Sequence, residues 1–272
     1  MRDRTDLTKY LTTGIAGAAA LIFAGAQLVH AANQPGPVVP SVTRIVALAP
    51  TTAQPDKPGS GLSVKIESAL HAFSSAVRPL SNPQALQKAF GSYFAYLAQH
   101  PADVKKPLLY FVDYGLPSTE PRGYIFDMRA LQIVEGPFTV AHGRGSSTTQ
   151  YGIPTRFSNA PGSEATSLGL YLAEDTYAFH GKTGGHPYSS IGLRLKGLSA
   201  NYNDNALARG VVAHGAPYVT ATKAGRSEGC PAMEPQRAER VLPELANGGM
   251  VFLFGLDKDW MAANPLGAAA AD

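Results

Sequence analysis

The sequence predicts a mainly β domain of the α+β class, entered through two helices. Three observations carry this. Apolar residues recur at three- and four-residue spacing between residues 62 and 106; after Pro107 short apolar or alternating runs take over, separated by Gly, Pro, Asn and Ser; and one further helical pattern precedes the last of these runs.

The first helix is predicted from Val64, Ile66, Leu70, Phe73 and Val77, a stripe that ends at Arg78-Pro79, where proline stops a helix. A second is expected from Asn82 to Gln99, with Pro83 in its first turn and Phe90, Phe94 and Leu97 on one stripe, read as core packing. Strands are predicted at Leu108–Val112, Gly123–Met128, Leu131–Val134, Phe138–His142, Ser167–Leu172, Ile191–Leu195, Gly210–His214 and Met250–Gly255. A helix is expected near Gln236–Ala246, and a Gly- and His-bearing loop between Phe179 and Ile191. The organisation expected is a helical segment over 62–106, a mainly β domain over 107–257 and a tail over 258–272, Ala-rich and frayed after Trp260, with no internal repeat.

Residues 1–32 read as a secretory signal peptide. Arg2, Arg4 and Lys9 precede an apolar run from Leu11 to Val29, and small residues at Ala31 and Ala32 suit cleavage. A retained membrane anchor is the alternative, and the only membrane contact expected; either way the remainder is expected outside the cytoplasm, in the periplasm or cell envelope. No cysteine closely follows the run, which excludes a lipid anchor through one. From 33 to 61 the prolines at 35, 37, 40, 50, 55 and 58, with few large apolar side chains, predict a linker. The formal charge of the 272 residues is +3, far short of the Lys/Arg clustering that nucleic-acid binding needs, so no nucleic-acid partner is expected.

The chain holds one cysteine, Cys230, which in an exported protein has no internal partner. It is buried and inert, paired between chains, or used. Its surroundings favour use: His214 ends the strand-like Gly210–Ala213, and Cys230 follows sixteen residues later, beyond a loop holding Gly225, Arg226, Ser227 and Gly229. A thiol with a pKa of about 8.5 is only a few per cent thiolate at neutral pH, and an imidazole can hold the ion as a pair. Backbone N–H groups at Ser227, Gly229 and Cys230 are candidate donors to an oxyanion, each lowering the barrier by about 3 kcal/mol. Arg226 and Arg237 are candidates to hold a substrate carboxylate, against the plainer reading of solvated surface charges.

The window from His214-Gly215 to Ser227-Glu228-Gly229-Cys230 resembles the signature of the YkuD-type L,D-transpeptidases. More narrowly, the stretch from Leu108 to Gly255 is similar to the murein L,D-transpeptidase catalytic domain family, through VAHGRG at Val140, TRFSNAPGSEATSLGLY at Thr155, LRLKGL at Leu193, NDNALARGVVAHGAPY at Asn203 and GRSEGCPAM at Gly225. The resemblance implies an L,D-transpeptidase-like β-sandwich or barrel and thioacyl-enzyme chemistry without a cofactor. It further implies peptidoglycan stem peptides as substrates, cut before a terminal D-alanine, and carbapenem-type inhibitors as ligands. It makes Cys230 the nucleophile and His214 the base, with the Gly215 carbonyl orienting the imidazole and Ser227 and Gly229 shaping the oxyanion loop. The commoner family pattern has His before the Gly-Cys pair and Arg two places after it; this chain has Glu228 and Ala232, which leaves Arg226 as the candidate replacement.

His142 and His180 each precede a Gly, as His214 does, and compete for the role of base. They are expected to line the substrate cleft, together with Tyr218. His142, His180, His186 and His214 show no short-spaced pair, so no metal is expected. Three functions remain open: transfer to an amine, hydrolysis by the same site as a carboxypeptidase or endopeptidase, and a wall-binding module without chemistry.

Overall fold

The structure is a computed structural model that describes residues 60–263. The expected signal peptide, all but the end of the expected linker, and the end of the tail lie outside these residues. Helices α1 (Ser60–Phe73) and α2 (Ala85–Gln99) come first. The α2 start falls two residues past Pro83, where the Asn82 side chain accepts from the Gln84 N–H at 2.8 Å.

Twelve strands follow: β1 (Leu108–Asp113), β2 (Gly123–Asp127), β3 (Gln132–Phe138), β4 (His142–Gly143), β5 (Gly169–Thr183), β6 (His186–Gly197), β7 (Val212–Gly215), β8 (Val219–Thr220), β9 (Lys223–Ala224), β10 (Arg226–Ser227), β11 (Ala232–Met233) and β12 (Met250–Phe254). Helix α3 (Pro235–Leu245) precedes β12 and α4 (Lys258–Ala262) closes the described chain. Eight strands form one mixed sheet in the order β11-β7-β6-β5-β12-β1-β2-β3, while β10 pairs with β4 and β8 with β9. Past the end of β3, Ala141 donates to the Ala232 carbonyl of β11 at 2.8 Å, so the two edges of the sheet curl towards each other.

The sheet is covered on both faces, and its central strands show why. In β1, Leu109 and Phe111 pack with Phe73, Phe90, Phe126, Phe252 and Trp260, while Tyr110 and Val112 point to the side covered by Val241, Leu242 and Leu245 of α3. A strand buried on both faces carries an unbroken apolar run, as LLYFV and MVFLF do here.

Two expectations need correction. Trp260, placed in the tail outside the domain, is a core residue against Phe252 and Phe254, and α4 is capped by the Asp257 side chain, which accepts from the Trp260 N–H. The expected loop from Phe179 to Ile191 is instead the outer arm of the β5–β6 hairpin, closed by Gly184 and Gly185 at φ +54° and +84° between the paired Thr183 and His186. Both dihedrals suit a tight hairpin turn that glycine adopts without a Cβ clash.

Candidate active site

Cys230 ends a loop two residues before Ala232, and Ala232 is the parallel register partner of His214. The Cys230 loop therefore lies against the strand that bears His214. The imidazole is fixed on two sides. His214 Nδ1 lies 3.0 Å from the Gly215 carbonyl, so Nδ1 carries the proton and Nε2 keeps its lone pair. The ring of Phe179 stacks on it, centroids 4.2 Å apart at 20°. That stack crosses a strand: Tyr177, Gly192 and His214 share one register row of β5, β6 and β7, and Gly192 leaves room for the aromatic rings, since a Cβ there would meet Tyr177 at 2.7 Å. Gly215 is held just as closely, with the Pro235 Cα 2.8 Å from where its Cβ would sit.

Burial draws the His214 pKa down to about 4, and the Gly215 carbonyl only partly restores it. Burial also pushes the Cys230 thiol up, while the Val212 N–H and the Arg209 guanidinium pull it back. The sulfur is half-buried and donates to the Gly210 carbonyl at 4.0 Å. The ion pair expected from the sequence is thus replaced at rest by neutral thiol and neutral imidazole, because both are desolvated and each desolvation disfavours the charged form.

Ser227 stitches the loop: its Oγ donates to the Cys230 carbonyl at 2.6 Å and accepts from the Gly229 N–H at 3.2 Å. That bond commits the Gly229 N–H, one of the expected oxyanion donors, to the loop itself. Gly229 has φ +119°, and a Cβ there would approach the Ala165 carbonyl to 2.9 Å, so the residue before Cys230 needs glycine on both counts.

The other expected site residues divide. Tyr218 stands by the thiol, whose negative charge raises its pKa beyond what burial and Tyr188 already do, and its ring meets Tyr188 edge to face at 6.4 Å. His142 is fully buried and cannot touch a substrate; Arg122 Nη2 lies 2.9 Å from its Nδ1, and its Nε2 has no partner among the described residues. Burial together with the charges of Arg122 and Arg226 lowers its pKa to about 3. His180 is exposed and bonded to Ser189 at 3.1 Å. Strand alternation puts its neighbour Phe179, and not His180, on the face that bears His214. Arg226 Nη1 donates to the Ser147 carbonyl at 3.0 Å, from a strand paired with His142. Arg237 is engaged by Glu135 and Glu234 and lies over the Phe138 ring, away from the thiol's neighbours. Among the described residues no group of three or more His, Cys, Asp or Glu gathers to hold a metal ion.

Phe179, Tyr188 and Arg209 were not singled out from the sequence. The Gly184-Gly185 pair flanked by Thr183 and His186 is the signal that would have turned the loop into a hairpin and brought Phe179 into view.

Residues 78–254 match the model of the L,D-transpeptidase catalytic domain family. No curated protein compared with the chain matches it. Among solved structures, the chain is similar to an L,D-transpeptidase from Mycobacterium smegmatis, with 12% identity over 55% of this chain and 59% of that one, at a TM-score of 0.35. It is similar to the L,D-transpeptidase of Xylanimonas cellulosilytica, with 12% identity over 68% of each chain, at a TM-score of 0.34. It also resembles L,D-transpeptidase 3 from Mycobacterium tuberculosis bearing a faropenem-derived adduct, with 14% identity over 54% of this chain and 60% of that one, at a TM-score of 0.31. The chain spans about three fifths of the length of the first of these.

Proposed function

The chain belongs to the L,D-transpeptidase catalytic domain family, and on that premise we propose that it is an exported cysteine acyltransferase acting on peptidoglycan stem peptides. The observation that supports this is the pairing of β7 with β11, which sets the loop of the lone thiol against the strand of His214, whose Nδ1–H is tied to the Gly215 carbonyl.

The neutral imidazole sets the order of events. As Sγ attacks the carbonyl of the donor peptide, its proton passes to His214 Nε2; the C–S bond forms, the C–N bond to D-alanine breaks, and Nε2–H protonates the departing amine. The amine of a second stem peptide then attacks the thioester, gives a proton to Nε2, and displaces sulfur, which recovers that proton. The product is a 3-3 cross-link. The negative charge of the sulfur raises the pKa of Tyr177, Tyr188 and Tyr218, all of which lie within its electrostatic reach. The leader formed by Arg2, Arg4, Lys9 and the apolar run supports an envelope location.

Mass spectrometry of disaccharide-tetrapeptides incubated with the protein tests this. A cross-linked dimer with free D-alanine is expected from wild type and neither from Cys230→Ala. Tripeptide without dimer would assign water as the acceptor. Unchanged tetrapeptide with a folded wild-type protein would refute the acyl-transfer reading. A carbapenem is expected to add its mass to wild type alone.

A further inference from the structure

One short segment supplies most of what surrounds the sulfur. The turns from Asn203 to Gly210 are anchored by the buried Asn203, whose Nδ2 donates to the Leu170 carbonyl at 2.9 Å and whose Oδ1 accepts from the Ser199 N–H at 2.8 Å. They end at Gly210, in the left-handed region at φ +67°, and lead into β7. From this segment the Gly210 carbonyl sits 4.0 Å from Sγ and the Val212 N–H points at it.

Arg209 belongs to the same segment and is held rigidly. Its Nη1 donates to the Ser158 carbonyl at 2.8 Å, and its Nη2 to the Ala165 carbonyl at 2.7 Å and to Ser163 Oγ at 3.2 Å. Nη2 also stands 3.5 Å from the point a Gly229 Cβ would occupy. A Cβ at Gly229 would meet this guanidinium in ordinary contact, so Nη2 lies against the residue that precedes Cys230. Its three anchors are two carbonyls and a hydroxyl, so no carboxylate cancels its charge at that spot. The other charged side chain acting on the thiol, Glu228, is 79% exposed and lies 3.6 Å from Arg144, which also binds Glu164. A fixed cation needs no reorganisation when negative charge arrives, and it acts through partly desolvated space.

We propose that Arg209 is a positioning residue for the acyl-transfer site: its anchored guanidinium lies behind Gly229 and holds the Cys230 sulfur as thiolate when the proton leaves. This role differs from the substrate-carboxylate role expected of Arg226, which bonds the Ser147 carbonyl from the strand paired with His142. The inference rests on the acyl-transfer reading for its purpose, but its test does not. Iodoacetamide alkylation of Cys230, followed on the intact protein from pH 6 to 10, reports the thiol's own titration whether or not any peptide is transferred.

Arg209→Met should move the alkylation midpoint up by about one pH unit, a roughly tenfold loss of reactivity below the midpoint, and Arg209→Lys should recover most of it. Arg156→Met is the structural control. Arg156 precedes the 158–165 strap that anchors Arg209, holds the Gly145 carbonyl at 2.8 Å, and its loss should lower the melting temperature without moving the midpoint. If Arg209→Met does not fold, Arg209→Gln against Arg209→Lys makes the same comparison with both side chains polar. A midpoint unchanged between the neutral and charged variants would overturn the proposal, even if stability fell.

Discussion

Acid should destabilise this protein well above the range where carboxylates titrate, and two histidines set the size of the effect. His142 is fully buried and His214 is 3% exposed, with native pKa values of about 3 and about 4. An unfolded histidine titrates at about 6.5, so as pH falls through that value the unfolded chain binds protons that the native protein refuses. The stability present at neutral pH is therefore lost on acidification. At pH 5 each histidine favours the unfolded state by about 2 kcal/mol relative to pH 7, and the two together by about 4 kcal/mol. For a domain of about 200 residues, that is a fall in melting temperature of roughly 8–16 °C. Urea unfolding followed by circular dichroism at half-unit steps from pH 7.5 to 5 measures it directly. The slope should fall by about half in His142→Asn. Stability that stays level over this window, or a variant slope as steep as wild type, would refute the reasoning.

Phe179→Ala removes the ring stacked on His214, a contact of about 1 kcal/mol, and should slow thiol acylation by a β-lactam several-fold while the melting temperature changes little. In Gly229→Ala, positive φ and the approach to the Ala165 carbonyl combine to cost about 1–3 kcal/mol, read as a melting temperature lower by several degrees together with reduced acylation. Trp260→Ala should cost about 3–5 kcal/mol in denaturant unfolding, since the ring is packed against Phe252, Phe254 and the Lys88 ammonium. A near-neutral result there would return α4 to the status of a loose tail.

What the sequence made legible was whatever is written in neighbouring residues. The runs LLYFV and MVFLF announce strands because both faces are covered, and His214-Gly215 and Ser227–Cys230 are short motifs that hold their spacing. The arm from Thr176 to Ser190 was hidden because none of it is fully buried: its faces alternate only between half-buried and exposed, too weak a contrast to mark a strand. Missing that strand also turned the wrong residue inward: on β5 a shift of one position exchanges Phe179 for His180. His142 looked like a cleft residue because its Gly neighbour matched that of His214, while its burial depends on Arg122 from the end of a loop twenty residues earlier. Arg209 reaches the sulfur only through the packing of the 158–165 strap against the Cys230 loop, which no local pattern records.

The face of the sheet beneath α1 and α2 bears on how this enzyme is divided. Phe73 and Phe90 close over Phe126, with ring centroids 4.6 and 5.6 Å from it, and Phe111 lies in the same cluster. Lifting the helix pair away would wet an aromatic floor continuous with the central strands, so these helices act as a foundation rather than a detachable shutter. A fragment beginning at Pro107 would therefore lack the cover of this face, and a self-sufficient unit includes both α1 and α2.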